Sequence, residues 1–230
     1  MSETVSEKLF EQYLDSNGYD GKWTYEPQIP GKSRKPDYLL DYNGLKYFFE
    51  VKELREKPNQ SSGWFDPYAS LRGEINEARQ KFKEYKQCSC SLVVFNVSDL
   101  HAILKPICVF GAMLGNLGVT WDIKRAEKKR FDETVTNAFL DSGKMIDYKG
   151  KRPQNTTISA IVVLEEYIDN LEVTNVPRVV VIENPFARVA FPEDLFNGPF
   201  DECWKWENNK IKRVFVGSKL RQLEELKSKS

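Results

Sequence analysis

The sequence predicts an α/β domain, with a mixed central sheet of about six or seven strands flanked by helices, because helical and strand signals alternate along it. Val5, Leu9, Phe10, Tyr13 and Leu14 recur at helical spacing near the start, and Leu71, Ile75, Ala78, Phe82 and Tyr85 do so again further on. Between them, residues 35–54 (KPDYLLDYNGLKYFFEVKEL) carry alternating apolar residues around Asn43-Gly44, the pattern of two strands joined by a tight turn. Residues 91–97 (SLVVFNV) are too apolar and β-branched for a surface strand and predict a buried central one.

The first helix is expected over residues 4–16, where Asn17-Gly18 closes it. Glu7 lies beside its apolar stripe, either as a solvated helix carboxylate or as a residue turned toward a site. A short strand over 23–28 leads into the turn IPGKSRK, whose Lys32, Arg34 and Lys35 form a basic cluster that is either solvated or set against a phosphate. Pro36 favours extended backbone before it, so Asp37 opens the hairpin, in which residues 38–42 pair with 46–52. The polar stretch EKPNQSSGWFDPYAS then forms a long loop. Its Trp64, Phe65 and Tyr68 either pack on the loop's own base or close over a bound nucleobase. On the helix over 71–82, Arg72, Arg79, Gln80 and Lys83 flank the apolar face, within reach of a phosphate.

Residues 101–118 predict an apolar helix and a turn, with the lone His101 as a structural hydrogen-bonding group. Residues 122–142 are expected to be helical, with Ile123, Ala126, Phe131, Val135, Ala138 and Phe139 inside and Lys124, Arg125, Lys128, Lys129 and Arg130 outside. A helical insertion is therefore expected over about 98–155. Two more buried strands follow at 158–164 and 178–182. The tail over about 217–230 is a charged helix with Leu220, Leu223 and Leu226 along one side, able to dock on the body or on a second subunit in a homodimer. The expected whole is one domain over 1–230, its core at about 1–97 and 156–200.

Glu50 and Lys52 lie two apart on a strand and share one face, while Phe49 and Val51 point the other way. With Asp37 at the start of the partner strand, two carboxylates and an amine converge. Converging carboxylates suit Mg²⁺ or Mn²⁺, and a lysine beside them orients or helps deprotonate a water and offsets transition-state charge. An acid two residues before a lysine recurs at Glu84, Asp122, Glu127, Asp147 and Glu225, but in helical or loop contexts. Only Glu50 has the aromatic strand and the partner carrying an acid.

This arrangement, a helix and three strands bearing P-D and E-x-K, resembles the PD-(D/E)xK nuclease superfamily with its restriction-endonuclease-like core, in a bacterial or phage form. The resemblance implies that Asp37 and Glu50 are metal-binding acids, Lys52 the catalytic lysine, and Glu7 the acid that many members add on the first helix. Residues 71–82 are similar to the helix after the third strand, and Asn184-Pro185-Phe186-Ala187 with Phe191-Pro192 to a strand-end segment in such members. The implied activity is metal-dependent endonucleolytic hydrolysis, of DNA rather than RNA, in restriction, defence or repair. The alternatives are a catalytically silent member that binds nucleic acid or protein, and a structural protein in which the three residues form a surface ion-pair cluster.

Composition narrows the classes. Thirty-four basic and 34 acidic residues balance, so binding by bulk positive charge is not expected and any nucleic-acid surface is local. Cys88, Cys90, Cys108 and Cys203 lack zinc spacing and predict reduced thiols. The charged, amphipathic start and the lack of a long apolar run predict a soluble cytoplasmic protein with no membrane partner.

Overall fold

Apolar alternation and tight turns fold the chain into an eight-stranded mixed sheet flanked by four helices. The computed structural model describes residues 4–55, 68–97, 104–123, 133–140, 143–147, 152–169 and 174–228. In chain order the elements are α1 (Val5–Ser16), β1 (Trp23–Tyr25), β2 (Tyr38–Tyr42), β3 (Leu45–Leu54), α2 (Ala69–Phe82), β4 (Ser89–Asn96) and α3 (Pro106–Leu114). Then come β5 (Asn116–Ile123), β6 (Glu133–Leu140), β7 (Ala160–Asp169), β8 (Thr174–Glu183), β9 (Glu202–Glu207), β10 (Lys210–Val216) and α4 (Ser218–Ser228). The large sheet has the order β1-β2-β3-β4-β7-β8-β9-β10, with β5 and β6 paired separately. Strands β3, β4 and β7 run parallel to one another and β8 runs parallel to β9, whereas β1–β2, β2–β3, β7–β8 and β9–β10 pair antiparallel.

The expected hairpin forms through the Asn43-Gly44 turn: Tyr38 faces Phe49 and Tyr42 faces Leu45, so residues 38–42 pair with 45–49, starting one residue earlier than the expected 46–52, and a two-residue loop is left. Asn43 and Gly44 both have positive φ, 53° and 73°, as the turn that matches strand twist requires. Gly44→Ala is expected to lower stability by about 1–2 kcal/mol, since a Cβ is disfavoured in that conformation. Denaturant melts of the two proteins would measure it.

The parity of β3 divides the interior in two. Phe49 and Val51 pack with Leu9, Phe10, Tyr13 and Leu14 of α1, whereas Phe48 and Leu54 pack with Leu71, Ile75, Ala78 and Phe82 of α2. Strand β4 is buried on both faces, which is why its sequence reads as a continuous apolar run. Thr4 caps α1 through its side chain.

Three expectations are corrected. The described residues of the expected helix over 122–142 are strands instead: β5 and β6 pair antiparallel from Asn116 opposite Leu140 to Ile123 opposite Glu133. Three consecutive β-branched residues in ETVTNAFL, Thr134, Val135 and Thr136, favour this pleated arrangement over a helix, so among the described residues the insertion holds one helix, α3, followed by the paired β5 and β6. Residues 202–216 add a further hairpin, turned by Asn208 and Asn209 at φ 50° and 57°, and bring the sheet to eight strands. The first strand is shorter than expected, Trp23–Tyr25, because Glu26 adopts a positive φ of 43°. The C-terminal helix docks through buried Leu220 and leaves Leu226 exposed. Among the described residues no helix is long and apolar enough to cross a membrane.

Candidate metal centre

The hairpin register builds the site. Because Tyr38 faces Phe49, the preceding residue, Asp37, comes beside Glu50, and its Oδ2 accepts a hydrogen bond from the Val51 N–H at 2.9 Å. That bond fixes the carboxylate plane and turns Oδ1 toward α2. Glu50 and Lys52 project together on the α2 side, as strand parity requires, with Lys52 Nζ 2.9 Å from Glu50 Oε1. A fourth residue completes the cluster: Lys81 Nζ lies 2.9 Å from Asp37 Oδ1 and 2.5 Å from Glu50 Oε1, bridging the two carboxylates. Lys81 borders the buried stripe of α2, three residues after Ala78 and one before Phe82, so its stem runs along the core edge and its head reaches the acids.

Burial shapes the electrostatics. The Glu50 side chain has no exposed surface, whereas those of Lys52 and Lys81 are 28% and 35% exposed. Burial first, and then the neighbouring Asp37 charge, push the Glu50 carboxyl up to about 7 against the pull of both lysines. Burial works against the charge on Lys52, but the Glu50 carboxylate outweighs it and holds the ammonium above the usual lysine range. Lys81 is raised in the same way, burial being overcome by Glu50 and Asp37. Lys52, 2.9 Å from Glu50, is placed to offset negative charge beside the acids. Neither ammonium is aligned with Glu50 Oε1 as a directed hydrogen bond, and Oε2, equally buried, has no hydrogen-bond partner among the described residues. A buried acceptor without a partner is costly, and such positions commonly mark ligand or ion sites.

Glu7 does not join the cluster. Its Oε2 accepts from the Thr4 N–H at 2.7 Å and from Thr4 Oγ1–H at 2.8 Å, and its Oε1 accepts from Tyr25 O–H at 3.2 Å. It is the return half of a capping box at the start of α1, the local use of a Glu at the third helical position. Partial burial raises its carboxyl, but the Thr4 and Tyr25 hydrogen bonds outweigh that and lower it overall.

The basic residues divide. Lys32 donates to the Glu84 carbonyl at 2.7 Å and lies over the Tyr85 ring, and Arg34 donates to the Gln80 carbonyl. Ser33 holds the Glu84 carboxylate through its N–H and O–H, at 2.8 and 2.6 Å. This turn is therefore a clamp on the end of α2, where cations and donors satisfy the last carbonyls of a helix. Arg72 donates to the Gly111 carbonyl and to Asn116 Oδ1. Lys35, Arg79 and Gln80 occupy exposed positions. Trp64, Phe65, His101 and the basic block Lys124, Arg125, Lys128, Lys129 and Arg130 lie outside the described residues.

Two carboxylate oxygens meeting at one cation, beside an unpartnered buried carboxylate oxygen, fit what Mg²⁺ or Mn²⁺ takes from a protein: one or two carboxylates, with water and substrate phosphate supplying the rest. Among the described residues no third His, Cys, Asp or Glu gathers with them. Asp37 and Glu50 would hold the ion. Comparison of the chain with protein-family models, with curated proteins and with solved structures finds no match.

Proposed function

We propose that the protein is a divalent-metal-dependent nuclease that hydrolyses phosphodiester bonds, in DNA in preference to RNA, in restriction, defence or repair. The observation that carries this reading is the convergence of Asp37 and Glu50 on one cation, with Glu50 Oε2 buried and unpartnered beside it. Asp37 and Glu50 would hold Mg²⁺ or Mn²⁺, which would supply polarisation of a phosphate and a lowered pKa of a water. Asp37, oriented by the Val51 N–H, and Glu50, fixed in the sheet, present the oxygens without needing to reorganise. Lys52 supplies a fixed positive charge to the phosphorane-like transition state. The order of helix, antiparallel three-strand meander, helix and parallel strand over residues 4–96 also supports the restriction-endonuclease-like assignment. Exposed Lys35, Arg79 and Gln80 are the phosphate contacts nearest in sequence to Asp37 and Lys81.

Incubating the protein with supercoiled plasmid, linear DNA and RNA, with Mg²⁺, Mn²⁺ or chelator, is expected to give metal-dependent cleavage of DNA that chelator abolishes. No cleavage of any nucleic acid with either metal would overturn the reading. A second reading then takes its place, because Lys81 already sits between the carboxylates: a silent nucleic-acid-binding protein whose own ammonium stands permanently where the metal would be.

A further inference from the structure

We propose that Lys81 is a built-in competitor of the metal, an ammonium that holds Asp37 and Glu50 together in the metal-free protein and must leave before a divalent ion can be bound. The inference rests on the metal-dependent reading above and concerns what sets the metal's affinity.

Three observations carry it. Lys81 Nζ contacts one oxygen of each acid, Asp37 Oδ1 at 2.9 Å and Glu50 Oε1 at 2.5 Å, so it occupies the point a bridging cation would take. Charge balance comes next. With both acids ionised, two carboxylates and two ammonium groups, those of Lys52 and Lys81, cancel, and any proton on Glu50 leaves the metal-free cluster net positive. A divalent ion added to that set faces two positive neighbours, and Lys81, which touches both ligand oxygens, is the one in its way. Lys81 is also able to leave: its side chain is 35% exposed and flexible, whereas Glu50 is buried within the sheet.

The backbone beneath Lys81 is held while its head exchanges. Lys32 and Ser33 bind Glu84, Arg34 binds the Gln80 carbonyl, and Tyr85 O–H donates to the Arg34 carbonyl at 2.6 Å. The clamp therefore grips both sides of Lys81 and ties them to the turn that leads directly into Asp37. Competition is confined to a side-chain swing. When the metal enters, the freed ammonium swings off the two ligand oxygens toward its solvent-exposed side. The acids are thus never left as an unscreened pair, and metal binds only above the threshold that displacing a lysine imposes.

The test uses the full chain without nucleic acid. Mn²⁺ is titrated calorimetrically into wild type, Lys81→Met and Lys81→Arg, and melting is followed in chelator. Lys81→Met is expected to bind Mn²⁺ roughly tenfold more tightly, since each ~1.4 kcal/mol of lost competition is a factor of ten. It is also expected to melt at a lower temperature in chelator and to gain more from added metal, whereas Lys81→Arg keeps the weak wild-type affinity. In wild type itself, Mn²⁺ should increase acylation of the Lys81 amine, read by peptide mass spectrometry, which needs no variant to fold. Binding by Lys81→Met but not by wild type also supports the competitor. Equal or weaker binding by Lys81→Met, or unchanged labelling of Lys81 while Mn²⁺ binds, overturns it and leaves the nuclease reading intact. Absence of Mn²⁺ binding in wild type and variant alike overturns both.

Discussion

Asp37→Ala and Glu50→Gln are each expected to lower metal-dependent cleavage by about 100–1,000-fold, the usual cost of losing one preorganised electrostatic group, ~2.7–4 kcal/mol of barrier. Both act on a site with few protein donors, so one substitution removes a large share of the metal's ligands. Glu50→Gln is the sharper probe. Gln matches the volume of the buried side chain and removes its charge, leaving the packing around β3 in place. Asp37→Ala also removes the acceptor for the Val51 N–H, a loss of about 1 kcal/mol that the fold tolerates. Lys52→Met tests the neighbouring role: it keeps the ligands and removes the fixed charge, so cleavage should fall while Mn²⁺ affinity holds or improves. Single-turnover cleavage at saturating metal, alongside circular dichroism of each variant, separates lost chemistry from lost structure. Wild-type rates in both Asp37→Ala and Glu50→Gln would end the assignment of these residues.

The acids and Lys52 were legible in the sequence because a strand has a fixed two-residue period. Once the Asn43-Gly44 turn fixes the register of β2 on β3, placing Asp37 beside Glu50 is geometry and needs no further information. The burial of β4 followed from composition in the same direct way. Lys81 was not legible, although its signal was present. It adjoins the stripe of Ala78 and Phe82, but on a helix with several other basic residues nothing local says which one meets a carboxylate. That depends on how α2 crosses the sheet, a tertiary fact. The same holds for Glu7, whose partners are its own N-cap and Tyr25 of β1 and not the acids of the cluster, though Thr4 three residues ahead was a local cue to capping.

Residues 116–140 show a different limit. Apolar residues there can be fitted to a helical stripe, and a basic run lends that helix a plausible outer face. The paired strands instead follow the β-branched residues in GVT and ETVTNAFL, a preference that spacing alone does not weigh. At the other end, ECWKWE and KIKRVFV around Asn208-Asn209 had the alternation and turn residues of a hairpin as plainly as the first one did. That hairpin supplies β9 and β10 and takes the sheet from the six or seven strands expected to eight.

Phe196→Ala is expected to destabilise the protein by about 3–5 kcal/mol, the cost of removing a buried aromatic from a packed core. Phe196 lies in a stretch with no regular structure between β8 and β9, where a loop residue would ordinarily be dispensable. Its surroundings argue otherwise. The ring centroid is 6.4 Å from Phe10, 5.3 Å from Tyr13, 6.0 Å from Tyr19, 5.6 Å from Phe49 and 5.6 Å from Phe191, mostly edge-on or tilted, with Phe49 stacked. It therefore joins α1 to β3 at the position next to Glu50, on the opposite face of the sheet. Asp201 pins the same loop, accepting from Tyr13 O–H at 2.6 Å and from the N–H groups of Gly198 and Val179 at 2.7 and 2.9 Å. Little can collapse into the gap, because backbone held by those bonds and rings held by the sheet surround it, and a cavity that stays open costs most. For a domain of this size each kcal/mol moves the midpoint by ~2–4 °C, so thermal melts should show a drop of roughly 10 °C. A loss under about 1 kcal/mol would mean that the loop repacks freely and that the aromatic cluster does not hold α1 to the sheet.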